Sequence, residues 1–174
     1  MNQLDVLQSD LQQKFPGNLN GDAVLSVSPN EVTPVLEHLK ETGQFDFLMH
    51  VAGCDYPGDQ KRFEINYELF SSTDARRLRL KTRVNEGEKV PTARKLWKTA
   101  DWFEREVYDM FGVSFDGHPN MRRLLTHHQF QGHPLRKDYD ANKQQHCTEA
   151  LPIHFDEDEV ERDDEGKDLV PLNI

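Results

Sequence analysis

The side chains best suited to chemistry are the carboxylates and arginines concentrated between Asp101 and Leu125. A carboxylate beside an apolar surface is costly unless it is paired, and forked guanidinium groups match its geometry. Glu106 borders the apolar face of this segment, so we predict that it pairs with Arg122 or Arg123. A core helix with a charged, solvated rim is the alternative that the residues alone leave open.

The histidines downstream offer a second chemistry, the binding of a metal ion. None of their spacings matches a helical His-x3-His pair, a Cys-x2-Cys clip or the carboxylate–histidine patterns of zinc enzymes. We therefore expect no metal site, and we predict that the His-Pro pairs cap turns and form hydrogen bonds across an interface. The histidine cluster comprises His118, His127, His128, His133 and His146, together with Cys147.

No motif for nucleophilic catalysis or nucleotide binding accompanies these residues. The sequence has no serine in a Gly-x-Ser-x-Gly elbow and no glycine-rich loop for the phosphates of NADH, FMN or ATP. Cys54 and Cys147 stand in no activating context, and two cysteines are too few for an iron–sulfur cluster. We predict no catalytic, cofactor-binding or metal-binding residue in this chain.

The acidic segment must be positioned by the helix in which it begins. Asp101 is a suitable N-cap, Glu104 follows at capping-box spacing, and Gly112 suits the left-handed position after the last turn. At about 100° per residue, Glu104 falls opposite the apolar arc, whereas Glu106 borders it. The residues from Pro91 to Thr99 are predicted to form a short helical lead into this helix. The apolar arc consists of Phe103, Val107, Met110 and Phe111.

Two helices and a strand are predicted near the N-terminus. Residues 4–15 show helical spacing, and Ala23 to Val27 suits a short strand. The next helix starts either at the capping box Ser28-Pro29-Asn30-Glu31 or at Pro34, and it ends near Gly43. Its apolar residues are Val32, Val35, Leu36 and Leu39.

Three later runs alternate with a period of two and predict an antiparallel meander with one solvated face. The basic residues of the third run suit either a binding stripe or a solvated face that pairs with neighbouring glutamates. The element order predicts an α+β fold, in which helices pack on an antiparallel or mixed sheet. The predicted inward residues are Phe45, Phe47, Met49 and Val51, then Phe63, Ile65, Tyr67 and Leu69, then Leu78, Leu80, Thr82 and Val84. The basic residues are Arg77, Arg79, Lys81 and Arg83.

Regular periodicity ends after Gly112, which predicts an extended C-terminal arm and an acidic tail. A near-repeat, Phe115-Asp-Gly-His-Pro and Phe130-Gln-Gly-His-Pro, suggests two turns of one design. Such an arm exposes much backbone and needs another surface to order it. We therefore predict an α+β globular domain at residues 1–112 and a partner-wrapping arm and tail at residues 113–174. The tail ends in Leu169-Val170-Pro171-Leu172, which either docks in a hydrophobic groove or stays disordered.

Composition excludes several classes of partner. The net charge over 174 residues is −10, and residues 155–168 contribute −7 of it through nine acidic and two basic side chains. This distribution argues against general nucleic-acid binding and against docking onto anionic lipid. No apolar run approaches the roughly 20 residues of a membrane span, so membrane association is expected only through a partner. The N-terminal residues do not read as a signal peptide, which favours a reducing compartment.

The segment from Trp102 to Tyr139 resembles the signature of the C-type subunit of respiratory complex I, the 30 kDa subunit family. The resemblance rests on Glu104-Arg105-Glu106, on Asp109 followed by Met110-Phe111, and on a second block from Gly132 to Tyr139. Weaker similarity extends upstream to about Phe45. The residues that the resemblance marks as family signature or partner interface are Glu104, Arg105, Glu106, Asp109, His118, Arg122, Arg123, His133, Arg136, Lys137 and Asp138.

The resemblance implies a non-redox structural subunit of a proton-translocating NADH:quinone oxidoreductase. Such a protein lies in the peripheral arm, packs against the quinone-module subunit of type D (the D-type subunit) and touches other members of the connecting module. In this setting we predict that ion pairs lock the root of the C-terminal arm, between the set Glu104, Arg105, Glu106 and Asp109 and one of Arg122, Arg123 or Arg136. FMN and iron–sulfur clusters are then expected in other subunits, with the complex at the cytoplasmic face of the cell membrane. Two alternatives remain open: the same scaffold in a ferredoxin-fed complex or a membrane hydrogenase, and a stand-alone metal-dependent enzyme that uses the histidine cluster.

Overall fold

The computed structural model describes residues 18–20 and 24–145, which form an α+β fold as predicted. The N-terminal helix predicted at residues 4–15 and the acidic tail lie outside the described residues. The elements in chain order are β1 (Asn18–Asn20), β2 (Val24–Val27), α1 (Val32–Glu41), β3 (Phe47–Asp55), β4 (Phe63–Phe70), β5 (Arg77–Val84), β6 (Val90–Pro91), α2 (Ala100–Phe111) and β7 (Phe115–Asp116).

Strands β1 to β5 form one mixed sheet in the order β1-β2-β5-β4-β3. Strands β3, β4 and β5 pair antiparallel as the predicted meander, whereas β2 pairs parallel with β5. Strand β1 pairs antiparallel with β2 and forms one edge, and β3 forms the other. Strands β6 and β7 pair parallel in a separate two-stranded sheet.

The alternation predicted for β4 and β5 is confirmed. The residues predicted to face inward on these two strands are all buried, while the opposite face carries cross-strand ion pairs. Lys81 and Arg83 each lie 3.1 Å from a carboxylate oxygen of Glu64, and Arg79 pairs with Glu68. Three of the four basic residues therefore follow the solvated-face interpretation rather than forming an unpaired binding stripe.

Strand β3 departs from its predicted alternation. Phe47 and Met49 are 52% and 39% exposed, whereas Leu48 is buried. The pairing register with β4 shifts between Leu48 and His50, so Met49 is an extra residue. Such a bulge inverts the alternation of side chains. The predicted inward positions of Phe47 and Met49 are therefore wrong, while Val51, after the bulge, lies in the core as predicted.

The helical segment that contains α1 starts at the Ser28 capping box rather than at Pro34. Residues Pro29–Glu31 form a 3₁₀ turn, in which the Ser28 backbone N–H donates to the Glu31 carboxylate at 3.0 Å. The helix continues from Val32 through Pro34. Its four predicted apolar residues pack against the sheet core: Val32, Val35, Leu36 and Leu39.

Helix α2 begins two residues earlier than predicted. Thr99 is the N-cap and Asp101 lies inside the first turn, so the predicted Asp101 cap is wrong. Gly112 ends the helix in the left-handed region at φ +78°, as predicted. The predicted helical lead before α2 is also wrong, because Pro91 belongs to β6 and residues 94–96 and 98–99 form turns rather than a helix.

Helix α2 packs across β3 through a close contact with Gly53. A methyl group at Gly53 would lie 2.5 Å from the Phe111 ring, so the missing side chain allows this approach. Neither of the two described α-helices has both the length and the apolar composition that a membrane crossing requires.

Candidate functional site

The carboxylate of Asp109 fastens the arm, defined here as residues 113–145, to the last turn of α2. One oxygen, Oδ2, accepts the backbone N–H groups of Leu124 at 3.0 Å, Leu125 at 2.7 Å and Thr126 at 2.8 Å. The other accepts Nη1 of Arg123 at 2.8 Å and the hydroxyl of Thr126. The Asp109–Arg123 ion pair is one of the pairs that the sequence predicts.

These donors decide the protonation state of Asp109. Its side chain is fully buried at the C-terminal end of a helix, and both burial and the helix dipole disfavour a negative charge there. Burial alone would raise its pKa, but the hydrogen bonds from Thr126, Leu125 and Arg123 outweigh burial and lower the pKa to about 2. Asp109 is therefore ionised at neutral pH, and its charge is satisfied by the arm.

A second buried carboxylate, Glu104, holds the chain that precedes α2. Its oxygens accept the hydroxyl of Thr92 at 2.6 Å and the backbone N–H of Ala93 at 2.7 Å. Burial raises its pKa to about 7, although both hydrogen bonds oppose this shift. The predictions that Glu104 lies on the polar side of α2, closes a capping box and pairs with a downstream arginine are wrong. A helical wheel misses this burial because it takes no account of loop donors.

The two turns of the near-repeat are held at opposite ends of α2. The His118 ring lies 3.3 Å from the carbonyl oxygen of Asp101 in the first turn, and the His133 ring lies 3.0 Å from that of Asp109 in the last. His118 also accepts the backbone N–H of Asn120 at 3.1 Å, as predicted for a turn cap. Burial lowers the pKa of both histidines. These ring contacts lie within the chain, so the predicted hydrogen bonds across an interface stay a prediction.

The distal part of the arm returns to the β3–β4 hairpin. Asp55 accepts the backbone N–H of Lys137 at 2.7 Å and forms a bidentate pair with Arg62 at 2.6 and 2.9 Å. Arg62 also binds Asp138 at 2.7 Å. Nε of Arg136 donates to the carbonyl of Phe111 at 2.6 Å. The second sequence block therefore anchors the arm to its own domain.

Arg105, Glu106 and Arg122 are the remaining predicted residues of α2 and the start of the arm. Arg105 donates to the carbonyl oxygens of Arg122 and Arg123 at 3.2 and 3.3 Å and lies over the Trp102 ring. Arg122 is exposed and Glu106 is partly buried. Sequence reasoning missed the anchors Asp55, Arg62 and Thr92, and no local pattern marks them, since Asp55 and Lys137 are 82 residues apart.

Within residues 18–20 and 24–145, no three histidine, cysteine, aspartate or glutamate side chains are grouped so that they could hold a metal ion. His146 and Cys147, part of the histidine cluster, lie outside this range.

These features define a class of protein: an α+β domain whose C-terminal arm is fastened along one helix by buried carboxylates. The family model described as respiratory-chain NADH dehydrogenase, 30 kDa subunit, matches residues 25–145. The chain belongs to this family, as its resemblance to the complex I signature predicts.

Individual relatives agree with this assignment. The chain is 52% identical over 181 aligned residues to the C/D subunit of NADH-quinone oxidoreductase from Bdellovibrio bacteriovorus, covering 100% of this chain and 32% of the relative. It is 40% identical to the C-type subunit from Methylobacterium sp., covering 79% of this chain and 62% of the relative. For the C-type subunit from Mesorhizobium japonicum, the identity is 40% over 91% of this chain and 80% of the relative. The chain thus spans less than two thirds of the length of the first two relatives.

A solved structure shares the fold. A chain in the structure of the membrane-bound sulfane sulfur reductase, an archaeal respiratory membrane complex, matches with a TM-score of 0.68 and 24% identity. The match covers 81% of this chain and 88% of that one.

Proposed function

We propose that this chain is a non-redox structural subunit of the peripheral arm of a proton-translocating NADH:quinone oxidoreductase, where it packs against the D-type subunit. The observation that carries the proposal is the relative from Bdellovibrio bacteriovorus, which joins C and D in its name and aligns with all of this chain over 32% of its length. A covalent join keeps two units close together, which supports a contact between them.

The geometry of the site supports a role in assembly. The buried carboxylates of Asp109 and Asp55 are used to hold the arm, because their oxygens accept backbone N–H groups of the arm. In this proposal the chain supplies a shaped surface, and FMN and iron–sulfur clusters in other subunits transfer electrons from NADH to quinone. The chain then sits at the cytoplasmic face of the cell membrane through its partners in the connecting module.

Affinity purification from the native host tests this proposal. The tagged chain is extracted with its membranes in mild detergent, and the recovered proteins are identified by mass spectrometry alongside NADH:quinone activity. We expect a large assembly that contains the D-type subunit and iron–sulfur proteins and is active with NADH. Recovery of the chain alone would contradict the proposal.

A second candidate is the same structural role in a related respiratory complex. The fold likeness to a chain of the archaeal membrane-bound sulfane sulfur reductase favours it, because one fold then serves two complexes. The purified assembly distinguishes the two candidates by its electron donor: oxidation of reduced ferredoxin without oxidation of NADH would favour the second.

A further inference from the structure

Two strongly exposed apolar side chains lie on α2 and on the arm, and Arg105 lies against the first of them. Trp102 is 53% exposed and Leu125 is 64% exposed, the largest values among the apolar side chains of the described residues. The guanidinium of Arg105 lies 5.6 Å from the Trp102 ring centre and donates to the carbonyls of Arg122 and Arg123. Leu125 follows Arg123 by two residues, and its backbone N–H is held by Asp109, one turn further along α2. We call Trp102, Arg105 and Leu125 the Trp102 patch.

The position of this patch is fixed rather than adaptable. The backbone N–H of Leu125 is held by Asp109, while Trp102 and Arg105 stand one turn apart on α2. Exposed aromatic and arginine side chains on a rigid support have the composition of interface hot spots. An apolar pair this exposed also gains free energy when a partner covers it.

The charge of the patch indicates what covers it. Arg105 has no carboxylate within ion-pair distance among the described residues, although the whole chain has 31 acidic residues. Its guanidinium is only partly exposed and makes hydrogen bonds to carbonyl oxygens alone. A carboxylate from outside would satisfy it. The arginines that pair with a carboxylate include Arg62, Arg76, Arg79, Arg83, Arg94, Arg123 and Arg136.

We infer that the Trp102 patch is the main contact for the D-type subunit, receiving from it a carboxylate flanked by apolar side chains. This inference rests on the proposed function and adds the residues that make the contact. Trp102 and Leu125 act as apolar anchors, and Arg105 supplies the charge that orients the partner.

Co-purification with the D-type subunit tests the inference. The full chain is tagged and produced together with that partner from the same organism, and the amount of partner recovered per chain is measured. For the double variant Trp102→Ala, Leu125→Ala we expect a loss of at least about tenfold in recovered partner, because hot-spot truncations weaken binding by that order. The melting temperature of the free variant should stay close to that of the wild type.

The matched control removes two exposed apolar side chains from the sheet edge instead. Phe47→Ala, Met49→Ala should recover the D-type subunit as the wild type does. Full recovery by the Trp102 and Leu125 variant, or an equal loss in the control, would overturn the inference while leaving the proposed function in place. Failure of the wild type to recover the partner would instead overturn the proposed function and this inference with it. The Trp102 and Leu125 variant could also keep the partner while protease cleaves residues 146–174 faster than in the wild type. That result would show that the tail covers the Trp102 patch, and it would overturn the inference.

Discussion

Oδ2 of Asp109 accepts the backbone N–H of Leu125 at 2.7 Å, which joins the last turn of α2 to a residue 16 positions later. Asp55 repeats this arrangement with the N–H of Lys137, 82 positions later. Each contact places a buried carboxylate of the domain against backbone of the arm. These two contacts help to bind the arm to its own domain, and they cross the predicted boundary after Gly112.

Removal of the Asp109 charge should release the arm. Asp109→Asn replaces a carboxylate that accepts four N–H groups with a neutral amide. We expect the free energy of unfolding to fall by about 2 kcal/mol at pH 7, because folding lowers the pKa of Asp109 from 3.8 to about 2. Because the folded pKa is the lower one, the charge stabilises the fold above about pH 4, and this contribution disappears as the pH falls through about 2.

Urea unfolding of the wild type and the variant across this pH range measures the difference. The exposed Asp116→Asn is the control and should have little effect. A difference between wild type and Asp109→Asn that stays constant from pH 7 to pH 2 would refute the assignment.

Glu104 should make stability fall as the pH rises. Burial raises its folded pKa to about 7, above the ordinary 4.5, so the protonated form favours folding. Its contribution is complete below pH 4.5 and is lost as the pH rises through about 7. Glu104→Gln keeps an acceptor for Ala93 and should flatten the stability curve between about pH 4.5 and 8.

The control for this change is Glu37→Gln on the exposed side of α1, which should leave the pH dependence as it is. Chemical denaturation at pH 5 and pH 8 is the measurement. An unchanged pH dependence in Glu104→Gln would mean that another group is responsible.

Gly112 should tolerate alanine poorly for two separate reasons. Its φ of +78° costs a side chain about 1–2 kcal/mol. A methyl group there would also lie 2.5 Å from both Nη2 of Arg136 and Nε2 of His133, and overpacking adds about 1–3 kcal/mol. Gly87 has nearly the same φ, +79°, with no atom within 4 Å, so Gly87→Ala isolates the first cost. Equal melting temperatures for the two variants would show that close contact with Arg136 and His133 adds no cost at Gly112.

The Asp55 anchor should matter more than an exposed ion pair. Asp55→Asn breaks a buried bidentate pair with Arg62 and weakens the bond to Lys137, so we expect a loss of roughly 3 kcal/mol and faster proteolysis after residue 136. Arg79→Ala breaks an exposed pair with Glu68 and should cost less than about 1 kcal/mol. Limited proteolysis followed by mass spectrometry compares the two, and equal cleavage rates would contradict the anchor.

The parts of the fold that could be predicted are those set by local pattern. In β4 and β5 successive side chains point to opposite faces of the sheet, so the apolar residues that alternate in the sequence face the core. Gly112 takes the left-handed conformation that ends a helix. Strand β3 could not be predicted in the same way. Its bulge at Met49 depends on the pairing with β4, and no residue type within β3 indicates a bulge.

The sequence indicates which residues belong to the candidate site better than it indicates which partners they bind. The Asp109–Arg123 pair follows from the complementary charges of nearby residues, and the near-repeat indicated two similar turns. Glu104 was misassigned because its partners Thr92 and Ala93 belong to a loop whose position only the folded chain defines. The sequence likewise cannot show that Arg62 lies between Asp55 and Asp138.

Complementation of a host that lacks this protein tests the central claim, that the chain acts through assembly rather than chemistry. The host receives wild-type chain or Asp109→Asn, and both the amount of assembled complex and the NADH:quinone activity of its membranes are measured. We predict that Asp109→Asn lowers the two together, so that activity per assembled complex equals that of the wild type. A fully assembled complex with greatly reduced activity would contradict the account, because Asp109 would then act in turnover itself.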